Sequence, residues 1–401
     1  MTTLRNSAFA AICALGLVAG CGDKQQYEQG VSDTEIKIGN TSPYSGPLSA
    51  YGTIGRATAA YFEMINEKGG VNGRKINFIS LDDGYSPPKT VEQIRKLVEE
   101  EQVLFLSGTL GTPTNSAVHE YVNAKGIPQL FIQSGASKWG DPDNFPWTMG
   151  WTFNYLSEAK IYGQYILQTK PDAKIAVIYQ NDDYGKDLLQ GLKLGLGDKA
   201  ETMVVATASY EVTDPTVDSQ IVSLKESGAN VLVTAASAKF AAQVIRKVYD
   251  IGWRPLHILN SVATSIASVL EPAGLEKSVD IISAVYMKDP SDPQWQDYTD
   301  VKQYKAWFEK YYPEGDVNEA ANVAGYSTGW ATVKILEQCG DDLSRANIMK
   351  QVASMKDVEA PLMLPGIKWN TGPDDFYLIE SSQLARFDGK QWKLFGEVIG
   401  D

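Results

Sequence analysis

The side chains able to do chemistry concentrate in three hydroxyl- and glycine-rich stretches. Gly39 to Gly52 reads GNTSPYSGPLSAYG, with four hydroxyl side chains before Tyr51 and no acid, base or histidine. Gly108 to Thr114 reads GTLGTPT, and Ser134 to Ser137 reads SGAS. Such stretches suit a catalytic loop, a phosphate cradle, or a surface that holds a ligand without reacting with it. Thr112 followed by Pro113 has the form of a helix N-cap with proline at the first helical position. The free N–H groups of such a turn hold a carboxylate without a basic side chain. One loop of this kind is an ordinary capped turn; three together favour a binding site.

Catalysis finds little support. His119 and His257 are the only histidines, and neither stands beside a candidate serine or cysteine. A nucleophile elbow GxSxG is absent, which leaves a hydrolase built on Ser42 or Ser45 without a base. A GK[ST] phosphate loop and a GxGxxG following a strand are absent as well, and two histidines with one thiol have no metal-ligand spacing. The pairs Asp82-Asp83 and Asp182-Asp183 read as helix caps, not as an acid–base pair. No catalytic residue, metal or cofactor is expected. Tyr51, Tyr85, Trp139, Trp147, Trp151, Tyr184 and Tyr286 fall at or near strand-to-helix joins, where several together suit a planar or apolar ligand.

The elements that must position these residues alternate regularly. Strands are expected at 36–39, 75–81, 103–107 and 129–132, with helices at 54–68, 90–101 and 114–124 between them. The rhythm restarts with strands at 174–179, 202–206, 231–235 and 257–259, and helices at 184–196, 217–227 and 239–251. Ala57, Ala60, Tyr61, Met64 and Ile65 recur at helical spacing in the first helix. Strand–helix–strand repetition is the mark of parallel sheets covered on both faces, and ligands bind beyond the carboxyl ends of their strands. Two doubly wound α/β units of similar size follow, with a seam near Pro146–Trp151. Helices at 299–312, 320–338 and 344–355 lack the strands for a third sheet and are expected to complete the first two units.

Composition agrees with a globular, non-nucleic-acid-binding chain. The 401 residues carry a formal charge of -13, with 43% hydrophobic and 21% charged residues. The apolar run Ala8–Ala19 follows Arg5 and is too short to span a bilayer. It ends Leu17-Val18-Ala19-Gly20-Cys21, which resembles a bacterial lipobox. Residues 1–20 then form a signal peptide, Cys21 carries lipid, and residues 21–33 form a tether. Cys339 follows an apolar helical run and is expected in the core.

The combination IKIG, PYSGPLSAYG, INEKGGVNGRKI, LDDGYSP, FLSGTLGTPTNSAV, KGIPQLFIQSGAS and IAVIYQNDDYGKD resembles the periplasmic leucine/isoleucine/valine-binding protein family. The likeness fades after about Val285. It implies a type I periplasmic-binding fold, with two α/β lobes joined by a three-strand hinge and closing on a small-molecule ligand. One lobe would comprise 34–151 with 284–365, the other 152–283 with 366–401. It also implies ABC transporter permease subunits as partners, on the periplasmic side of the envelope; a ligand-sensing module is the alternative. Tyr51, Thr112, Ser134, Ala136 and Tyr184 match family positions that line the pocket. Trp151 and Tyr286 join them as aromatic candidates. The departures are Ala136 in place of a threonine, a small residue at Ser237, no acid near Ser261 to hold an ammonium, and Tyr85 and Gly111 in place of a disulfide. They direct the expectation toward an organic acid lacking an α-ammonium, aromatic by preference, over a branched-chain amino acid.

Overall fold

The computed structural model describes residues 27–400. The signal segment and Cys21 lie outside the described residues. The first lobe is a parallel five-stranded sheet of order β2-β1-β3-β4-β5. Its elements run β1 (Glu35–Ser42), α1 (Thr53–Glu67), β2 (Lys75–Asp82), α2 (Pro87–Arg95), β3 (Phe105–Ser107), α3 (Thr112–Ser116), α4 (His119–Ala124), β4 (Gln129–Ile132) and β5 (Thr148–Gly150). The second lobe contains α5 (Tyr155–Thr169), β6 (Ile175–Gln180), α6 (Asp183–Leu196), α7 (Ala200–Met203), β7 (Val204–Tyr210), α8 (Asp218–Glu226), β8 (Val231–Ala235), α9 (Ala238–Asp250), β9 (Leu256–Leu259), α10 (Glu271–Ala273) and β10 (Ile282–Val285). The chain then returns to the first lobe as α11 (Thr299–Tyr311), α12 (Ala321–Cys339) and α13 (Arg345–Val352). It ends in the second lobe as β11 (Ser381–Phe387) and β12 (Trp392–Gly400). The second sheet has seven strands in the order β12-β11-β10-β9-β8-β6-β7, with β11 and β12 antiparallel.

Central strands are apolar on both faces because helices cover both. All five residues of β8, VLVTA, are buried, as are five of the six in β6. The expectation of too few strands in the last quarter holds only for a third sheet: β10, β11 and β12 extend the second. Residues 284 and 285 therefore stay in the second lobe. Residues 366–371 stay near the first, because Val358 pairs with Trp369 and Thr371 N–H donates to Met355. The second and third passages between lobes are held together by Lys288 N–H to Leu362 O (2.8 Å) and Leu364 N–H to Tyr286 O (3.0 Å).

Three local expectations are corrected. The helix expected over 114–124 is broken at Ala117 and Val118. Residues 200–203 close a helical turn before β7 begins at Val204. At α3 the cap is Gly111 (φ 101°, ψ 148°), Thr112 is the first helical residue, and Pro113 follows it. Only a residue without Cβ adopts that backbone easily, which frees the Thr112 hydroxyl from capping duty.

Helix α12 reaches the cleft because it crosses α1 at very short range. A Cβ on Gly325 would lie 2.3 Å from Ile54 O, and one on Gly329 would lie 2.7 Å from Tyr61 Cβ. The Thr58 hydroxyl donates to Gly325 O across the same crossing (3.1 Å). A Gly325→Ala substitution must push the helices apart, costing about 1–3 kcal/mol. Thermal denaturation should show a lowered Tm; an unchanged Tm would mean that the crossing has slack.

Candidate functional site

A cavity of about 130 Å³, taken as the space open to the centre of a water molecule, lies between the lobes at the carboxyl ends of the strands. An engineered cavity on the order of 150 Å³ holds benzene, so a ligand with a single ring fits in size. Eight of the ten ligand-site residues read from the sequence line it: Tyr51, Gly111, Thr112, Trp151, Tyr184, Ser237, Ser261 and Tyr286. Tyr85 and Tyr155 add two further rings. Tyr85 (φ 58°) covers Gly111 so closely that a Cβ there would lie 2.4 Å from its Cε2. Among the described residues no lysine, arginine or histidine lines the cavity.

Ser134 and Ala136 lie behind the wall, not on it. Strand β4 pairs irregularly with β5 between Gln129 and Ile132, and Phe131 takes a left-handed backbone (φ 56°). That twist presents Gln133 to the cavity and turns Ser134 inward. Ser134 nonetheless orients the wall. Its oxygen accepts from Trp139 Nε1–H (2.9 Å) and from Ala136 N–H (3.3 Å), both of which only donate. With its two lone pairs engaged, its own proton points to Thr112 Oγ1, 2.6 Å away. Thr112 thereby accepts from Ser134, and its own O–H is available to donate toward the cavity. The loop is thus arranged to meet an oxygen acceptor.

Across the cavity, Tyr51 joins the lobes. Its hydroxyl accepts from Ala238 N–H (2.9 Å) and donates to Val262 O (3.0 Å). Elsewhere between the lobes, Lys138 pairs with Asp183 (2.6 Å), and Ser137 N–H donates to Asp187 (2.7 Å). Two strand-end crescents of hydroxyls and rings face each other across the cavity, a shape and lining that suit a small molecule. Residues 35–391 match the family described as periplasmic binding protein. The chain belongs to that family. Its members are extracytoplasmic solute-binding proteins of ABC-transporter type and not enzymes.

This periplasmic binding protein is 26% identical over 394 residues to Leu/Ile/Val-binding protein homolog 1 of Brucella abortus (strain 2308), covering 93% of this chain and 99% of the relative. In fold it is similar to a branched-chain amino acid ABC transporter protein of Thermus thermophilus with bound valine, at a TM-score of 0.82 and 15% identity, covering 92% and 98% of the two chains. It is likewise similar to a solute-binding protein of R. palustris in complex with benzoate, at a TM-score of 0.76 and 19% identity, again over 92% and 98%.

Two acids of this periplasmic binding protein's site, Glu158 and Glu319, escape sequence reading, whereas Asp182 is the helix cap expected there. Ser261 has no acid beside it in the chain, but Glu158 of α5 lies directly beneath it, fully buried. Ser261 N–H (2.8 Å) and O–H (2.6 Å) and the Tyr162 hydroxyl (2.8 Å) all donate to this carboxylate. Helix α5 is not expected from the periodicity read above. Asn154 was its signal, since that side chain caps Leu156 and Ser157 N–H and an acid follows in the first turn. Glu319, just ahead of α12, is on the cavity wall itself. Its oxygens accept from Ala321 N–H (2.9 Å) and, across the cleft, from the Ser265 hydroxyl (3.2 Å). Asp182 caps α6 through Gly185 N–H and also accepts from Gln180. Burial pushes the Asp182 carboxyl up to about 6 and raises Glu319 as well.

Burial likewise pushes Glu158 from an ordinary 4.5 up to about 7, against the three donors that favour its anion. The folded chain therefore keeps this proton to higher pH than the unfolded chain. Its stabilising contribution is complete below about 4.5 and is lost as pH rises toward about 7, by on the order of 3 kcal/mol at most. In Glu158→Gln that share of the pH dependence should vanish, so the Tm difference between pH 5 and pH 8 should shrink. An unchanged difference would show that Glu158 does not titrate in this window.

Proposed function

We propose that this protein captures a small aromatic carboxylate for an ABC importer. The observation that carries this reading is the Thr112 hydroxyl, turned toward the cavity as a donor by the Trp139–Ser134 relay. Two further wall residues strengthen it: Trp151 Nε1–H and the Tyr184 hydroxyl are buried and have no partner in the protein. Such groups cost about 1–3 kcal/mol when left unpaired, so a ligand rich in oxygen acceptors gains by meeting them. Six aromatic side chains on the wall suit a ring, and the cavity volume suits a single one. The benzoate-bound neighbour in R. palustris shares the fold and lends this ligand class weight. A ligand bridging both lobes favours the closed state by its differential affinity for it, and membrane permease subunits would read the closed surface. Lipid on Cys21 would keep the protein at the membrane.

A second reading has its own observation. Glu319 places a carboxylate on the wall, where an amino-acid ammonium could pair with it, and a valine-bound neighbour shares the fold. Burial raises the Glu319 pKa and so favours its neutral form, a weaker partner for an ammonium, which ranks this reading second. Calorimetric titration with benzoate, hydroxybenzoates, benzamide, phenylalanine and valine separates the two. Benzoates binding more tightly than amino acids supports the first reading; the reverse order overturns it. Thr112→Val should weaken carboxylate binding about 10- to 100-fold, since a hydrogen bond to a charged group contributes about 1.5–3 kcal/mol. Thr112→Ser should retain most of it. Equal affinity in all three proteins would remove Thr112 from the site.

A further inference from the structure

Beside the main cavity lies a second, smaller one of about 50 Å³. Ser261, Thr264, Tyr286, Met287 and Ala320 belong to the walls of both, so the two spaces adjoin across a partition one residue thick. We propose that this annex is a subsite for the tail of an elongated ligand, and that the acid captured is an aromatic carboxylate carrying a short alkyl chain on the far side of its ring. The proposal rests on the aromatic-carboxylate reading and specifies its length.

The annex is apolar where it faces inward from the second lobe. Val285 of β10, Leu364 of the third passage, Leu394 of β12, and Trp295 and Trp392 supply its large apolar side chains. Its polar residues are turned on one another. Asp289 accepts from Ser291 N–H and O–H and from Ile266 N–H. Lys288 pairs with Asp300 at 2.6 Å, and Asp292 accepts from Gln294 and from Trp392 N–H. A methylene chain entering there displaces no protein hydrogen bond. A second charged or hydroxyl-bearing end would find these partners already engaged.

The partition between the spaces has one fixed and one yielding member. Tyr286 is wedged between Trp151 and Phe153, with ring centroids 6.4 Å and 6.3 Å away. Met287 is only half-buried and has an unbranched, adaptable side chain. Rotation of Met287 joins the two spaces without moving the passage, which stays pinned by the Leu364–Tyr286 and Lys288–Leu362 hydrogen bonds.

The test is a length series titrated calorimetrically into the full mature protein: benzoate, 4-methylbenzoate, 4-ethylbenzoate and 4-propylbenzoate. Two buried carbons at about 0.8 kcal/mol each correspond to roughly a fifteen-fold gain, so affinity should climb by about that factor from benzoate to 4-ethylbenzoate. Leu394→Phe, which fills the annex from an edge strand, should abolish the gain and leave benzoate affinity within about twofold. Leu394→Ala should instead extend the gain to 4-propylbenzoate. Benzoate binding with no gain along the series in the native protein overturns the annex and leaves the aromatic-carboxylate reading standing. So does a gain that Leu394→Phe leaves intact. Failure of every acid in the series to bind overturns that reading, and the annex assignment with it.

Discussion

One hydroxyl group couples the two halves of this protein. Tyr51 leaves the first lobe at the end of a short turn and inserts its oxygen between Ala238 N–H and Val262 O of the second. Both partners sit just past strand ends, β8 and β9, so the tyrosine reads the relative position of two strands at once. Its hydroxyl is far from ionising, because burial raises its pKa and Glu319 nearby raises it further. A neutral group that both donates and accepts suits this position. It satisfies one donor and one acceptor of the opposite lobe without bringing a charge into a space already bordered by carboxylates.

That absence of charge organises the rest of the site. Glu158, Asp182 and Glu319 approach the cavity, and each is enclosed by donors of its own. The consequence is a wall whose outward chemistry is mostly hydroxyl, N–H and ring, with Glu158 and Asp182 one layer back and Glu319 the one carboxyl on the wall itself. Ser261 shows the principle: its hydroxyl donates to Glu158, so while that carboxyl is ionised the serine oxygen faces the cavity as an acceptor. On the opposite side Thr112 faces it as a donor. The cavity is therefore polarised along its length without a formal charge on a wall hydroxyl.

Much of this was legible in the sequence, for identifiable reasons. The alternation of buried runs such as VLVTA with helical repeats marks parallel sheets regardless of context, so the doubly wound lobes could be read directly. The strand-end positions of Tyr51, Thr112 and Tyr184 followed from the strand–helix rhythm, and Ser237 and Ser261 from the family resemblance. What escaped depends on contacts between distant parts of the chain. Glu158 is more than a hundred residues from Ser261 and sits on a helix whose apolar spacing is weak. Glu319 reaches the cleft only because Gly325 and Gly329 let α12 press against α1. Ser134 and Gln133 exchanged roles because of the left-handed turn at Phe131, which no side-chain pattern announces. Strand β12 was missed because an edge strand with an exposed face carries little apolar periodicity.

The relay behind Thr112 suggests where selectivity in such a site originates. A hydroxyl can face a ligand as donor or acceptor, and nothing in the threonine itself decides which. The decision is made by Trp139, whose indole N–H only donates, and by the backbone N–H of Ala136. Together they use up both lone pairs of Ser134 and force its proton onward to Thr112. Neither Trp139 nor Ser134 lines the cavity, yet they determine that it favours an oxygen acceptor over a donor at that point. Ala136, at the position where the amino-acid binders it resembles carry threonine, contributes only a backbone donor and no second hydroxyl. The two N–H donors at Ser134 therefore favour a chain of hydrogen bonds running from Ser134 to Thr112. A hydroxyl at that position would have offered Ser134 an alternative partner and made the polarity of Thr112 reversible.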